Sequence, residues 1–186
     1  VLISGGGMVG LTLALALAQG GLKIAVVDAV APEKTIAAEF DGRVSALAYA
    51  AIRMMRALKV WPHLEAHAQP IREILVSDGA IGRTASPFSL HFDSEEVGAD
   101  SLGHIAENRH TRAALYAAVA NEPGITLIAP ATVSALTVEP SRVVAKLSNG
   151  DELQATLAVA ADGRESRLRG QMGIGVIGWS YPQTGI

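Results

Sequence analysis

Val1-Leu2-Ile3-Ser4-Gly5-Gly6-Gly7-Met8-Val9-Gly10-Leu11-Thr12-Leu13-Ala14 opens the chain. It reads as a short apolar strand, a glycine turn and a helix running from Leu11 to Ala18. In this order the glycines have separate tasks. Gly5 permits the tight turn, Gly7 lets backbone approach a pyrophosphate, and Gly10 lets the helix lie close to the strand. Met8 and Val9 complete the turn into the helix, whose N-terminal N–H groups and positive dipole end face the same place. A second apolar run, Ile24-Ala25-Val26-Val27, ends in Asp28, the position from which an acid meets a ribose hydroxyl. A glycine-rich turn alone also occurs for structural reasons. Strand, turn, helix, strand and acid together point to a bound adenine dinucleotide over a bare structural βαβ unit.

Composition narrows the class. With 186 residues and 49% hydrophobic content, the chain has material for one sizeable core or one domain plus part of another. A net charge of −3 lacks the basic excess that nucleic acid demands. Without cysteine there is no disulfide, thiolate metal site or cysteine nucleophile. The apolar stretch Leu11–Ala18 is too short to span a membrane. The chain begins inside a strand without Met and ends at Gln183-Thr184-Gly185-Ile186, which reads as a piece of a longer protein.

Further along, Pro32 to Asp41 reads as a polar loop. Val44, Leu47, Ala48, Ala51, Met55 and Leu58 recur at helical spacing, and Trp61-Pro62 ends that helix. Arg72–Ser77 and Phe88–Phe92 read as strands, followed by an acidic loop from Asp93 to Ser101. A helix capped by Asn108 runs to Ala120, and Ile125–Ile128 is a parallel strand. Thr132–Val138, Val143–Leu147 and Asp151–Val159 form three antiparallel strands with a tight turn at Asn149-Gly150. The last one leads into Ala161-Asp162-Gly163.

The expected architecture is α/β, a parallel sheet with a β-meander crossover. A meander in place of further βαβ units favours a flavin fold over a nicotinamide one.

Four ordered stretches carry a resemblance. They are Gly5 to Ala14, Phe40 to Leu47 (Phe-Asp-Gly-Arg-Val-Ser-Ala-Leu), Leu102 to Arg109 (Leu-Gly-His-Ile-Ala-Glu-Asn-Arg), and Ala161 to Arg169 (Ala-Asp-Gly-Arg-Glu-Ser-Arg-Leu-Arg). With Trp179 to Gln183, they resemble the FAD-dependent aromatic hydroxylases of ubiquinone biosynthesis, the 2-octaprenyl-6-methoxyphenol hydroxylase group, relatives of p-hydroxybenzoate hydroxylase. The resemblance implies a Rossmann-like FAD-binding domain of the glutathione-reductase type with part of a β-rich substrate domain. The same resemblance implies a division that places residues 1–71 and 106–173 in the FAD-binding domain, and 72–105 and 174–186 in partial substrate-domain β segments. The resemblance implies FAD on the glycine turn, reduction by NADPH or NADH, and hydroxylation of a phenolic ring, with the flavin carrying the chemistry. It implies that Arg43 lies by the cofactor phosphates at a helix start, and that Arg109 reaches the flavin's ribityl and phosphate region. It also implies that Asp162-Gly163 bridges flavin and pyridine nucleotide. Two positions depart from the family: Asp28 where Glu is commoner, and Ala161 where Gly is usual.

By the same resemblance the substrate is a small aromatic molecule with a prenyl tail, and the enzyme is cytoplasmic, peripheral at the inner membrane. Membrane and complex contacts would be carried outside this chain. The family's second cofactor motif, a Gly-Asp-Ala-Ala-His-like string, does not occur in this sequence, so the 186-residue piece is expected to be catalytically silent and to bind FAD weakly or not at all. No side chain is singled out as catalytic. His63 and His67 share a helical face but lack a third metal ligand, and Arg164 and Arg167 read as surface charge. Two other readings stay open: an FAD oxidase or dehydrogenase of the same architecture, and a non-catalytic cofactor-binding module.

Overall fold

In the computed structural model, residues 1–36, 42–79, 82, 84, 86 and 88–182 are described. Phe40 and Asp41 of the second motif, the end of the expected Pro32–Asp41 loop and the last four residues lie outside them.

The core is a parallel sheet made by β1 (Leu2–Ser4), β2 (Ile24–Val27), β8 (Ile125–Ile128) and β12 (Ala158–Ala160), in the order β12-β1-β2-β8. Side chains alternate across it, as a two-residue period requires. Ile3, Ile24 and Val26 face a helical layer, while Leu2, Ala25 and Val27 face the other way. Helices α1 (Met8–Gln19) and α4 (Asn108–Ala120) supply the first layer. A three-stranded antiparallel meander covers the opposite face: β9 (Val133–Val138), β10 (Val143–Leu147) and β11 (Glu152–Ala155).

Helix α1 forms because Leu and Ala dominate it, both strong helix formers, and it buries Leu11, Ala14, Leu15 and Ala18. It stops at Gly20-Gly21, where Gly21 takes a φ of 82° and its N–H returns to the Ala18 carbonyl at 2.9 Å.

A second, smaller sheet has the order β3-β7-β4, built from β3 (Val44–Ala48), β4 (Ala68–Ile71) and β7 (Gly103–Glu107), all antiparallel. This corrects one sequence expectation and adds two strands. The helix expected from Val44 starts only at Tyr49, as α3 (Tyr49–Ala57); β4 and β7 were not anticipated. The physical reason is the pairing itself. Ala46 faces Ile105 across the ladder, and backbone pairing with a segment some 60 residues away outweighs the helical spacing. Gly103 is required there, since a Cβ would lie 2.4 Å from the Leu47 carbonyl oxygen.

Two further corrections are local. Pro32–Ile36 is a short helix, α2, where a loop was expected. The strand expected over Asp151–Val159 is two strands: β11 ends the meander, and β12 joins β1 in the parallel sheet. β5 (Glu73–Ser77) and β6 (Ser89–Asp93) pair as a separate antiparallel ribbon, and α5 (Arg167–Gln171) follows β12.

Candidate nucleotide cleft

The chain leaves β1 toward β2 on one side, while β12 returns on the other. Ligands in open α/β sheets bind outside the carboxyl ends of strands at such a reversal. A cleft of about 450 Å³ lies there, reaching Ser4 at the end of β1, Val27 at the end of β2 and Ala161 just after β12. Gly5, Gly7, Asp28, Asp162 and Gly163 line it, so segments more than 130 residues apart in sequence share one wall.

The glycines divide by environment. Gly5 is buried with φ +111°, and a Cβ there would lie 2.2 Å from the Ala161 carbonyl oxygen. Gly10 is buried inside α1, and its Cβ would lie 1.9 Å from the Gly5 oxygen. These two let the turn, β12's exit and α1 collapse onto one another. Gly7 is different: it is exposed, and nothing lies within 4 Å of its Cβ position. It is the N-cap of α1 with no side-chain cap, and no acidic residue occupies the first helical turn through Met8, Val9 and Gly10. Unpaired N–H groups at a helix start, open space beside them and a first turn free of acidic residues suit a pyrophosphate.

Asp28 holds the turn as well as facing the cleft. Its carboxylate accepts the Gly6 N–H through Oδ2 and the Val30 N–H at 2.8 Å through Oδ1. Each oxygen keeps a lone pair for a further donor such as a ribose hydroxyl. From the helical layer, Tyr116 on α4 donates its buried hydroxyl to the Gly6 carbonyl at 3.2 Å. Burial, then the nearby Asp28 charge, pushes the phenol above its ordinary pKa, so it stays a donor. Sequence reading passed over Tyr116; its one signal was a lone aromatic in an alanine-rich helix. Tyr116→Phe leaves the Gly6 oxygen without this donor and should cost about 1 kcal/mol in urea unfolding.

Asp162 faces inward to its own loop. It accepts Ser166 Oγ at 2.6 Å and the Arg167 N–H at 2.9 Å, while Ser166 caps α5 through the Arg169 N–H. Burial pushes its pKa up, but these hydrogen bonds outweigh burial and hold the carboxyl below the usual range. A depressed native pKa stabilises the fold above the unfolded value near ~3.9, and that contribution is lost as pH falls through the native value. Asp162→Asn should therefore cost about 1 kcal/mol at neutral pH and lose less stability than the parent chain between pH 5 and 2, measured by thermal unfolding. Gly163 follows with φ +90° and an open Cβ position. Arg167, expected to be plain surface charge, is exposed yet lines the cleft, as do Ala131, Thr132 and Val133, which sequence reading missed.

The two predicted arginines lie elsewhere but together. Arg43 precedes a strand where a helix was expected, and its carbonyl accepts the Asn108 N–H at 3.0 Å, next to Arg109. Asn108 is the first residue of α4; Glu107 occupies the cap position, and the Asn108 side chain accepts Ser45 Oγ at 2.6 Å. Arg109 Nε donates to Glu107 at 2.6 Å. Neither arginine lines the cleft. Arg109 and Tyr116 are seven residues apart on α4, roughly 10 Å along its axis, so this helix links the arginine corner to the glycine turn. Of the histidines weighed as metal ligands, His67 stacks on His110 with ring centroids 4.0 Å apart, and the described residues contain no group of three or more His, Cys, Asp or Glu arranged to hold a metal.

Residues 1–184 match the family described as FAD binding domain. The chain belongs to that family. The FAD-binding domain is 42% identical over its full length to ubiquinone hydroxylase UbiL of Rhodospirillum rubrum, covering 42% of that protein. It is 32% identical over 99% of its length to the 3-demethoxyubiquinol 3-hydroxylase of Escherichia coli, covering 46% of it. The chain thus spans under half the length of these relatives. A crystal structure of a Pseudomonas aeruginosa PqsL mutant superposes with a TM-score of 0.76 at 23% identity, over 97% of this chain and 47% of that one. The p-nitrophenol 4-monooxygenase PnpA from Pseudomonas putida gives a TM-score of 0.74 at 17% identity, over 92% of this chain and 42% of its own. Both share the fold.

Proposed function

We propose that this chain is the FAD-binding part of a flavin-dependent aromatic monooxygenase that uses NADPH or NADH and hydroxylates a phenolic, prenylated ubiquinone precursor. The observation that carries the reading is the cleft where the uncapped start of α1, Asp28 and the Asp162-Gly163 corner meet. The family match and the ubiquinone hydroxylases among the relatives support the reaction class.

In this reading the N–H groups of Gly7, Met8, Val9 and Gly10 hold the pyrophosphate and Asp28 accepts from the adenosine ribose. Asp162 keeps the Gly163 corner rigid by bonding its own loop, so that the Gly163 backbone is held in place to meet the cofactor. Arg43 and Arg109, brought together by the Arg43 carbonyl, would meet the flavin-side half of the same ligand. When bound, FAD supplies the oxygen activation and electron transfer; the chain binds, orients and shields it.

The division into units 1–71 with 106–173 and 72–105 with 174–186 belongs to the same proposal. The β5–β6 ribbon exposes Ile74 (40%), Val76 (49%), Leu90 (63%) and Phe92 (49%), which pair across the ladder and share one face, an apolar surface for another element to cover. β7 crosses the boundary at 105/106, and its whole length, Gly103–Glu107, pairs with β3 and β4 of the first unit, so the small sheet ties the two units together there. No helix among the described residues is long and apolar enough to cross a membrane, and we assign peripheral membrane contact to other parts of the enzyme.

The test uses the longer protein that contains this chain. Purified material should carry flavin absorbance and consume NADPH and oxygen with a ubiquinone-precursor phenol, yielding product one oxygen heavier by mass spectrometry. Oxidation of substrate without oxygen insertion would assign it to the oxidases or dehydrogenases.

A further inference from the structure

A second cavity, about 320 Å³, shares no lining residue with the nucleotide cleft. One wall is a single face of α3, with Tyr49, Ile52 and Arg56 spaced three and four apart. Pro70 and Arg72 at the end of β4, with His104 on β7, form the facing wall, and Gly98 to Ser101 close the side. Backbone bonds fix these segments to each other: Tyr49 N–H to the Leu102 carbonyl at 3.2 Å, Leu102 N–H to Ile71 at 2.8 Å, and Ser94 N–H to Arg72 at 2.9 Å. The walls are therefore built, not loose loop.

The charge inside is unbalanced. Arg56 and Arg72 bring two guanidinium groups, Asp100 one carboxylate, and neither arginine makes an ion pair among the described residues. Arg56 lies 5.6 Å from the Trp61 ring centroid, a contact that steers the guanidinium without neutralising it. His104 meets the same indole edge-on at 4.8 Å, and its Nδ1 is buried without a hydrogen-bond partner. Burial, then the Arg56 charge, lowers the His104 pKa against the opposing Glu65 charge, so the ring adds no positive charge near neutral pH and keeps one N–H donor. Ser101 is 5% exposed and adds a hydroxyl to the lining.

We propose that this cavity binds a small oxyanion, a carboxylate or phosphate group, held by Arg56 and Arg72 with Ser101 and His104 as further donors. Guanidinium forks match both oxyanions, and the volume admits a phosphate or a compact organic acid. Tyr49, Ile52 and Pro70 give an organic acid an apolar wall. Asp100 opposes binding. The site stands on its own residues and does not depend on the flavin reading.

The test is an amide chemical-shift titration of the 186-residue chain with sodium phosphate, and separately with sodium benzoate, at constant ionic strength in chloride. Saturable shifts at Arg56, Ser101 and His104 are expected. Arg56→Gln and Arg72→Gln should each weaken binding roughly fivefold or more, and Asp100→Asn should tighten it about twofold. Saturation by phosphate alone assigns a phosphate ligand, and by benzoate alone a carboxylate. Shifts that stay linear, that cluster at Gly5 to Gly10, or that persist in an Arg56→Gln, Arg72→Gln double variant overturn the site. The parent-chain titration decides even where a variant does not fold.

Discussion

Gly10→Ala should destabilise the chain by about 2–3 kcal/mol, although alanine in a helix interior is ordinarily better than glycine by about 1 kcal/mol. The sign is decided by space. A methyl group at Gly10 would sit 1.9 Å from the Gly5 carbonyl oxygen, and neither partner can yield cheaply. Gly5 is already at φ +111° with its own Cβ position against the Ala161 carbonyl, so moving the turn presses it into β12's exit. Gly170 supplies the control. It lies in α5 with nothing within 4 Å of its Cβ position, so Gly170→Ala should be neutral or slightly stabilising. Urea unfolding of both variants reads the difference. A Gly10→Ala chain as stable as the parent would show that the turn and helix are not in the contact described.

Gly7→Val is expected to do the reverse: keep the fold and lose the ligand. Gly7 has φ −75° and ψ −178°, an extended conformation any residue adopts, and its Cβ position is open. Losing glycine at the cap costs up to ~1 kcal/mol. A valine there would stand beside the uncapped N–H groups, where a pyrophosphate must come within hydrogen-bonding distance. In the longer protein that contains this chain, FAD affinity should fall by at least about tenfold, equivalent to ~1.4 kcal/mol, in a fluorescence titration. Unchanged affinity with an intact fold would remove the helix start from the binding site and, with it, the main support for the proposed function.

The pair separates two uses of one residue type. The motif's spacing announces both in the sequence, but burial assigns them: Gly5 and Gly10 are buried, Gly7 is exposed. Asp28 combines the two uses, because its oxygens hold the Gly6 and Val30 N–H groups before any ligand is considered.

What the residues determined alone is the first 28 positions and the first two strands of the meander. There the signals are local: alternating or continuous apolar runs, glycines at turn positions, Asn149-Gly150 between two strands, each acting over a few residues. Tertiary structure decided the rest. Val44–Ala48 is a strand because β7 pairs with it; its own alanine-rich spacing suits a helix equally well. Asp162 sits beside Gly5 because β12 pairs with β1, and Arg43 sits beside Arg109 because a carbonyl meets an amide 65 residues on. The Arg56–Arg72 cavity was not foreseen at all, since α3, β4 and β7 must first assemble to make it. Hydrogen bonds between distant backbone segments leave no trace in the spacing of either segment.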